Sequence, residues 1–399
     1  MSSLNRKLLS TSLLNAMAAG INFLSNFIIV RTLSLEIFGE FAIFSSFLAF
    51  GGLLYIVIPP NYSVFKLQVS SEFKSHLIRF FILSSITFTL FGLITNLYVF
   101  KNINATAIIV FGISTYCLNF FDIKFQATGQ LQKYFIMLVI IASIKIVVIG
   151  IFYFVNLLNS LSILLWAISI GQGIILLVYS YDERRLIKNI LATPIAFLDT
   201  TKFIKQNFRD FTPYYLNTIL KRIRENSIVL IFSKIVSTET MGIFALFVKV
   251  DSFVLGLSRN IEAFFMNMDN INTHRNDFYK KAVYFACILQ ILYLIVGVTY
   301  MKVIANNFFW IEIFILSLLV YPHVYFLLAR AELLSKFNNK ELNFSEAIYV
   351  FIVLVGFILS IVFHLNSIYL LLISFLIAKF GLQLFMIISN RRKDVQDYS

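Results

Sequence analysis

Charge is scarce in this chain. Asp, Glu, Lys and Arg make up 13% of its 399 residues, against about 25% in ordinary soluble domains. With 59% hydrophobic residues and a mean hydropathy of +0.85, that shortage excludes a soluble globular fold. Cysteine is nearly absent: Cys117 and Cys287 lie in separate apolar blocks and read as small buried hydrophobes. Nothing has zinc spacing. The four histidines, His76, His274, His323 and His364, show no ligand spacing either. No Gly-rich phosphate loop, nucleophile–base pair or metal motif occurs, so nothing supports an ATPase engine, a cofactor or bond-making chemistry. Lys and Arg outnumber Asp and Glu by 33 to 20. They sit between apolar blocks, where they set membrane orientation, and do not form a nucleic-acid surface.

What the chain does contain is long apolar blocks, each able to cross the roughly 30 Å hydrocarbon core. Twelve spans are expected: 8–30, 37–59, 78–100, 105–125, 134–156, 161–181, 211–233, 241–266, 281–302, 305–329, 345–363 and 367–389. The blocks are uniformly apolar and do not alternate as barrel strands would, so they are helices. Arg6 and Lys7 followed by apolar residues and Ala16-Met17-Ala18 also fit a signal peptide. The apolar stretch continues to Val30, which favours a first span. Twenty Lys and Arg fall in the segments that are cytoplasmic if the N-terminus is inside. The loops on the opposite side hold four, Arg31, Lys101, Lys234 and Lys302. This predicts that both termini are cytoplasmic.

The chain also repeats itself. Residues 31–50 and 234–253 align under a shift of 203 positions. Ser34 falls on Ser237, Glu36 on Glu239, Gly39 on Gly242, Phe41 on Phe244, Ala42 on Ala245, Phe44 on Phe247 and Phe50 on Phe253, with Arg31 on Lys234. A half-chain repeat is architectural. Six spans per half is even, so the halves share one orientation and the repeat is parallel. The predicted architecture is an all-α integral membrane protein with about 12 transmembrane helices. Two six-helix bundles, residues 1–181 and 211–399, would enclose a central cavity. A basic, amphipathic cytoplasmic linker (182–210) joins them, read as a surface helix broken near Pro194 or as a plain linker drawn to anionic lipid.

Charges inside apolar blocks cost at least about 2.5–3.5 kcal/mol near the bilayer centre and so mark a bundle interior or a wet cavity. The densest set is Lys221, Arg222, Arg224 and Glu225 in the seventh span. Lys221 and Glu225 are an i, i+4 pair that neutralises itself, leaving Arg222 and Arg224 as an anion-binding wall. The alternative is a snorkelling cluster at the end of the span. The same shift places Ala18, Ala19, Gly20, Ile21 and Asn22 opposite residues 221–225, so one half supplies small residues and the other charge. The eighth span carries Lys249, Asp251, Arg259 and Glu262. Lys249 and Arg259 join the candidate cations. Asp251 and Glu225 are candidates for ion coupling or, equally, for a structural ion pair such as Asp251 with Arg222. Asn15, Asn22 and Asn26 recur on one face of the first span, where they line a cavity or bond between helices.

Leu33-Ser34-Leu35-Glu36-Ile37-Phe38-Gly39-Glu40-Phe41-Ala42 resembles the first outer loop and second span of bacterial O-antigen and capsule flippases. These belong to the multidrug/oligosaccharidyl-lipid/polysaccharide exporter superfamily. Ser34 stands where that family often has Gly. Gln126-Ala127-Thr128-Gly129-Gln130, followed by Tyr134, resembles its cytoplasmic turn after the fourth span. The resemblance covers the whole chain in layout and implies a transporter of the bacterial inner membrane, not an enzyme. Its substrate would be an undecaprenyl-diphosphate-linked oligosaccharide, carried between leaflets by alternating access through a cation-lined cavity. It further implies an H+ or Na+ counter-ion, surrounding membrane lipids, and a polysaccharide polymerase and chain-length regulator as partners. Competing readings are an O-antigen polymerase, which tends to have a long basic outer loop that this chain lacks, a drug exporter of the same superfamily, and a lipid II flippase, a branch that usually has two further spans.

Overall fold

The computed structural model describes residues 3–51, 63, 67, 73–98, 103–128, 130–157, 160–192, 196–258, 268–335, 339–363 and 367–397. Among these residues the chain is all-α, with no strand. The helices are α1 (Ser3–Thr32), α2 (Leu35–Gly51), α3 (Phe73–Tyr98), α4 (Ala105–Ala127), α5 (Leu131–Phe154), α6 (Leu161–Ala192), α7 (Ala196–Phe232), α8 (Thr238–Gly256), α9 (Met268–Ala305), α10 (Trp310–Ser317), α11 (Val320–Ser335), α12 (Asn339–Val362) and α13 (Ile368–Asp397). Nine stretches among them are long and apolar enough to cross a membrane. Of the other expected spans, 37–59 and 241–266 run into residues outside the described ones, and 211–233 lies in α7 with its charged cluster. The linker residues continue α6 as far as Ala192 and resume in α7 from Ala196; Pro194 itself lies outside the described residues. The span expected at 305–329 is two helices, α10 and α11, separated by a turn at Leu318–Leu319. Pro322 explains the break: it lacks the N–H that would bond to the Leu318 carbonyl, and a proline suits only the first turn of the new helix.

The repeated segment owes its sequence to how its helices begin. Ser237 is extended (φ −67°, ψ 156°) and its Oγ accepts the Thr240 N–H. Ser34 does the same for the Ile37 N–H at 3.3 Å. Each serine is an N-cap, and each following Glu, Glu36 or Glu239, sits in the first turn where the helix dipole favours a carboxylate. Serine at position 34 is therefore a capping choice.

Contacts divide the chain into two compact units. The first holds residues 1–23, 34–46 and 220–399. In it α13 packs on α12, α11 and α8, and α9 packs on α11, α8 and α10. Its core includes Phe232, Phe244, Phe247, Tyr293 and Val324. Here the two repeats also meet. A Cβ on Gly39 would collide with the Thr238 carbonyl, and one on Gly242 with the Leu35 carbonyl. Thr238 is Leu35 shifted by the same 203 positions, so the crossing of α2 and α8 has local two-fold pseudosymmetry about the glycine pair. Small residues let helix backbones approach this closely. The second unit holds residues 24–33 and 47–219. In it α4 packs on α3, α6 and α5, and α5 packs on α6. Its core includes Leu77, Ile108, Met137 and Leu164.

Candidate functional site

A charged cluster lies inside the first unit, built from α7, α8, α9, α12 and α13. The Lys379 ammonium of α13 donates to both oxygens of Asp251 on α8, at 2.6 and 2.5 Å. Tyr293 of α9, fully buried, lies beside the same carboxylate. On α7, Arg224 Nε is 3.1 Å from Glu346 Oε2 of α12, and Glu346 is 1% exposed. Arg224 Nη2 also approaches Glu225 at 3.7 Å, and Arg222 Nη1 approaches it at 3.8 Å. Tyr349 of α12 is within Coulomb range of Arg224, Asp251 and Glu346, as is Lys379 of Arg224. The two ion pairs are thus one electrostatic unit.

These pairings revise the sequence expectations. The partner of Asp251 is Lys379, not Arg222. The carboxylate of Glu225 is engaged by Arg222 and Arg224, and Arg224 is further held by Glu346. Arg222 and Arg224 are therefore not two uncompensated charges. Arg222 remains the accessible one, with its side chain 40% exposed against 14% for Arg224. Lys221 is half-buried. Lys249 is half-buried on α8 and has no ion-pair or hydrogen-bond partner among the described residues. Arg259 and Glu262 lie outside the described residues. Asn15 donates from Nδ2 to the Gly256 carbonyl at the end of α8, 2.9 Å away, so it serves as an interhelical tie. Asn22 is half-buried in the first unit. Asn26 is buried in the second.

Sequence reasoning missed Glu346 and the inner stripe of α13. Lys379, Gln383 and Asn390 fall at i, i+4 and i+11, within about 40° of one another around a helix. Lys379 bonds Asp251 on α8, Gln383 pairs with His323 of α11 at 3.4 Å, and Asn390 donates to Glu332 of α11. The spacing is readable in the sequence once three isolated polar residues in an apolar run are treated as one face. No group of His, Cys, Asp or Glu suited to a metal ion occurs among the described residues.

The second unit contains one carboxylate with a different character. Asp122 on α4 has a buried Oδ1 with no hydrogen-bond partner. An uncompensated buried charge is costly. Asp122→Asn is therefore expected to give a Tm at or above wild type in detergent. A clear fall in Tm would show that the carboxylate has a stabilising partner.

No family model matches the sequence, and no characterised protein matches it at the sequence level. Solved structures do match the fold. An inward-facing multidrug resistance MATE family transporter of the MOP superfamily aligns with a TM-score of 0.59 at 12% identity, over 96% of this chain and 94% of its own. The lipid II flippase MurJ, in an inward closed conformation, aligns with a TM-score of 0.51 at 14% identity, over 96% and 85%. A MOP superfamily transporter from Pyrococcus furiosus, described as having a binding pocket of reverse polarity, aligns with a TM-score of 0.50 at 12% identity, over 97% and 95%. The chain has the fold of MOP-superfamily transporters and is a multi-pass membrane protein.

Proposed function

We propose that the protein is a flippase for a lipid-linked oligosaccharide of the undecaprenyl-diphosphate type, moved from the inner to the outer leaflet of a bacterial inner membrane. The reading includes two six-helix bundles, residues 1–181 and 211–399, with both termini cytoplasmic. The observation that carries it is a transporter fold in which α7 and α8 bring cations into the first unit. Arg222 is partly exposed and Lys249 lacks a protein partner among the described residues, and an anionic substrate would supply one. A diphosphate suits both groups: the guanidinium as a planar fork and the ammonium as a point charge. Arg224, fixed by Glu346, would orient the site more than bind. Asp251 with Lys379 is the proposed coupling element, because a proton or Na+ reaching the carboxylate would release the ammonium.

Complementation of a flippase-null strain, scored as surface polysaccharide, tests this. Wild type should restore it. Lys249→Gln and Arg222→Gln, expressed to equal levels, should each reduce the transport rate about tenfold or more, the loss of one charge-assisted hydrogen bond of roughly 1.5–3 kcal/mol. Full activity of both variants would remove the anion-binding role. Export of cationic dyes without rescue would favour a drug exporter, a reading supported by the fold match to a multidrug transporter. Accumulation of short, unpolymerised surface units in a deletion strain would point to a polymerase.

A further inference from the structure

The second unit contains a cavity of about 340 Å³ lined by Lys124, Phe125, Gln130, Lys133, Ile136 and Tyr179. These residues come from the end of α4, the turn that follows it, the start of α5 and the part of α6 where its apolar stretch ends. All lie where apolar spans stop: Ala105–Phe125, Gln132–Phe154 and Leu161–Tyr181. The cavity therefore sits at the level of lipid headgroups, where Tyr and Lys are favoured.

Its chemistry is that of an anion site. Two ammoniums line it, and among the described residues no carboxylate does. Asp122 is two residues before Lys124, about 200° around α4. Two of the end carbonyls of α4 are engaged: Thr128 N–H bonds the Lys124 carbonyl at 3.0 Å and Gln130 N–H the Phe125 carbonyl at 2.9 Å. Gln130 precedes α5 without capping it through its side chain, which leaves first-turn N–H groups and the positive end of the helix dipole beside the two lysines. The Lys124 ammonium is 5.5 Å from the Phe125 ring centroid and 6.0 Å from that of Phe121. Tyr179 packs on both rings, with centroids 5.6 and 5.8 Å away. One wall is thereby pre-formed.

The cavity continues into an apolar track. Ile136, Ile140, Val147 and Ile151 of α5 are exposed and recur at i, i+4, i+11 and i+15, one face of the helix. Ile170, Ile174, Leu177 and Val178 form an exposed face on α6, which packs beside α5. A phosphate held by lysines with an acyl chain running from it along apolar residues describes one kind of ligand. We propose that Lys124, Lys133, Gln130 and the start of α5 bind the headgroup phosphate of an anionic bilayer phospholipid, with an acyl chain along the α5 track. The site is separate from the charged cluster of the first unit and does not depend on the flippase reading.

The test uses the purified full chain in neutral detergent, titrated with phosphatidylglycerol or phosphatidylcholine and read by native mass spectrometry. Phosphatidylglycerol should bind saturably at one high-affinity site and phosphatidylcholine should not. Lys124→Gln/Lys133→Gln should weaken the phosphatidylglycerol site roughly twenty-fivefold, about fivefold for each basic residue. The charge-matched control Lys202→Gln/Lys205→Gln, on the exposed part of α7, should change it less than twofold. Equal losses in both pairs would show generic attraction to a basic surface and overturn the proposal. So would an unchanged affinity in the first pair. Competition by millimolar inorganic phosphate would reassign the site to a free anion, and stoichiometric displacement by a polyprenyl phosphate would reassign it to a transported lipid.

Discussion

Replacing either crossing glycine, Gly39→Ala or Gly242→Ala, should sharply destabilise the first unit, and the two changes should cost nearly the same. In each case the added Cβ meets a backbone carbonyl, that of Thr238 or of Leu35. Backbone cannot rotate away as a side chain can, so α2 and α8 must separate. Ordinary overpacking costs about 1–3 kcal/mol, and the upper part of that range or more is expected here. The crossing also draws Phe44 and Phe247, both fully buried, and Phe38 and Met241 into the same core, so separation loosens their packing too. Gly20→Ala is the control. Nothing lies within 4 Å of the point its added methyl would occupy, and alanine in a helix interior is favoured by up to about 1 kcal/mol. The measurement is Tm of the purified protein in one detergent. Matched falls for Gly39→Ala and Gly242→Ala with no fall for Gly20→Ala confirm the pseudosymmetric crossing. A large effect at one glycine alone would reduce the repeat to a resemblance in sequence without equivalence in packing.

The repeat was legible because it is made of residues with local duties. A capping serine, a first-turn glutamate and a crossing glycine each occupy a position where few residues work, so duplication keeps them in register. The all-α membrane architecture was legible for a similar reason: apolar length alone decides it. Partner choice was not legible. Asp251 could be singled out in the sequence as a charge inside an apolar block, but its partner comes from a helix 128 positions away, and no spacing rule links the two. Glu346 sits only a few residues into its apolar block, where a charge looks like an edge residue, and only the packing of α12 brings it to Arg224. The α10–α11 break was written in Pro322 yet masked by unbroken hydropathy, because an apolar count is blind to a missing N–H.

The largest single-residue loss outside the glycine crossing is expected for Lys379→Met. Lys379 is the direct hydrogen-bond donor to both Asp251 oxygens, and Asp251 is buried at 7% exposure. Methionine fills much of the same volume but leaves a buried carboxylate beside Tyr293 without its ammonium. Breaking a buried pair by removing one partner costs about 3–5 kcal/mol, whereas replacing both partners with neutral groups is often near neutral. Lys379→Met should therefore lower Tm strongly, Asp251→Asn should lower it by a comparable amount through the stranded ammonium, and the double variant should recover most of the loss. That non-additivity identifies a direct pair. The same series separates structure from transport. If the pair is only a tie, the double variant should transport normally in the complementation assay. If release of Lys379 from Asp251 accompanies the transport cycle, the double variant should be stable yet deficient and should lose dependence on the driving ion gradient. Additive losses in Tm would instead mean that the two side chains act through different neighbours, and the coupling element would have to be sought elsewhere in the cluster.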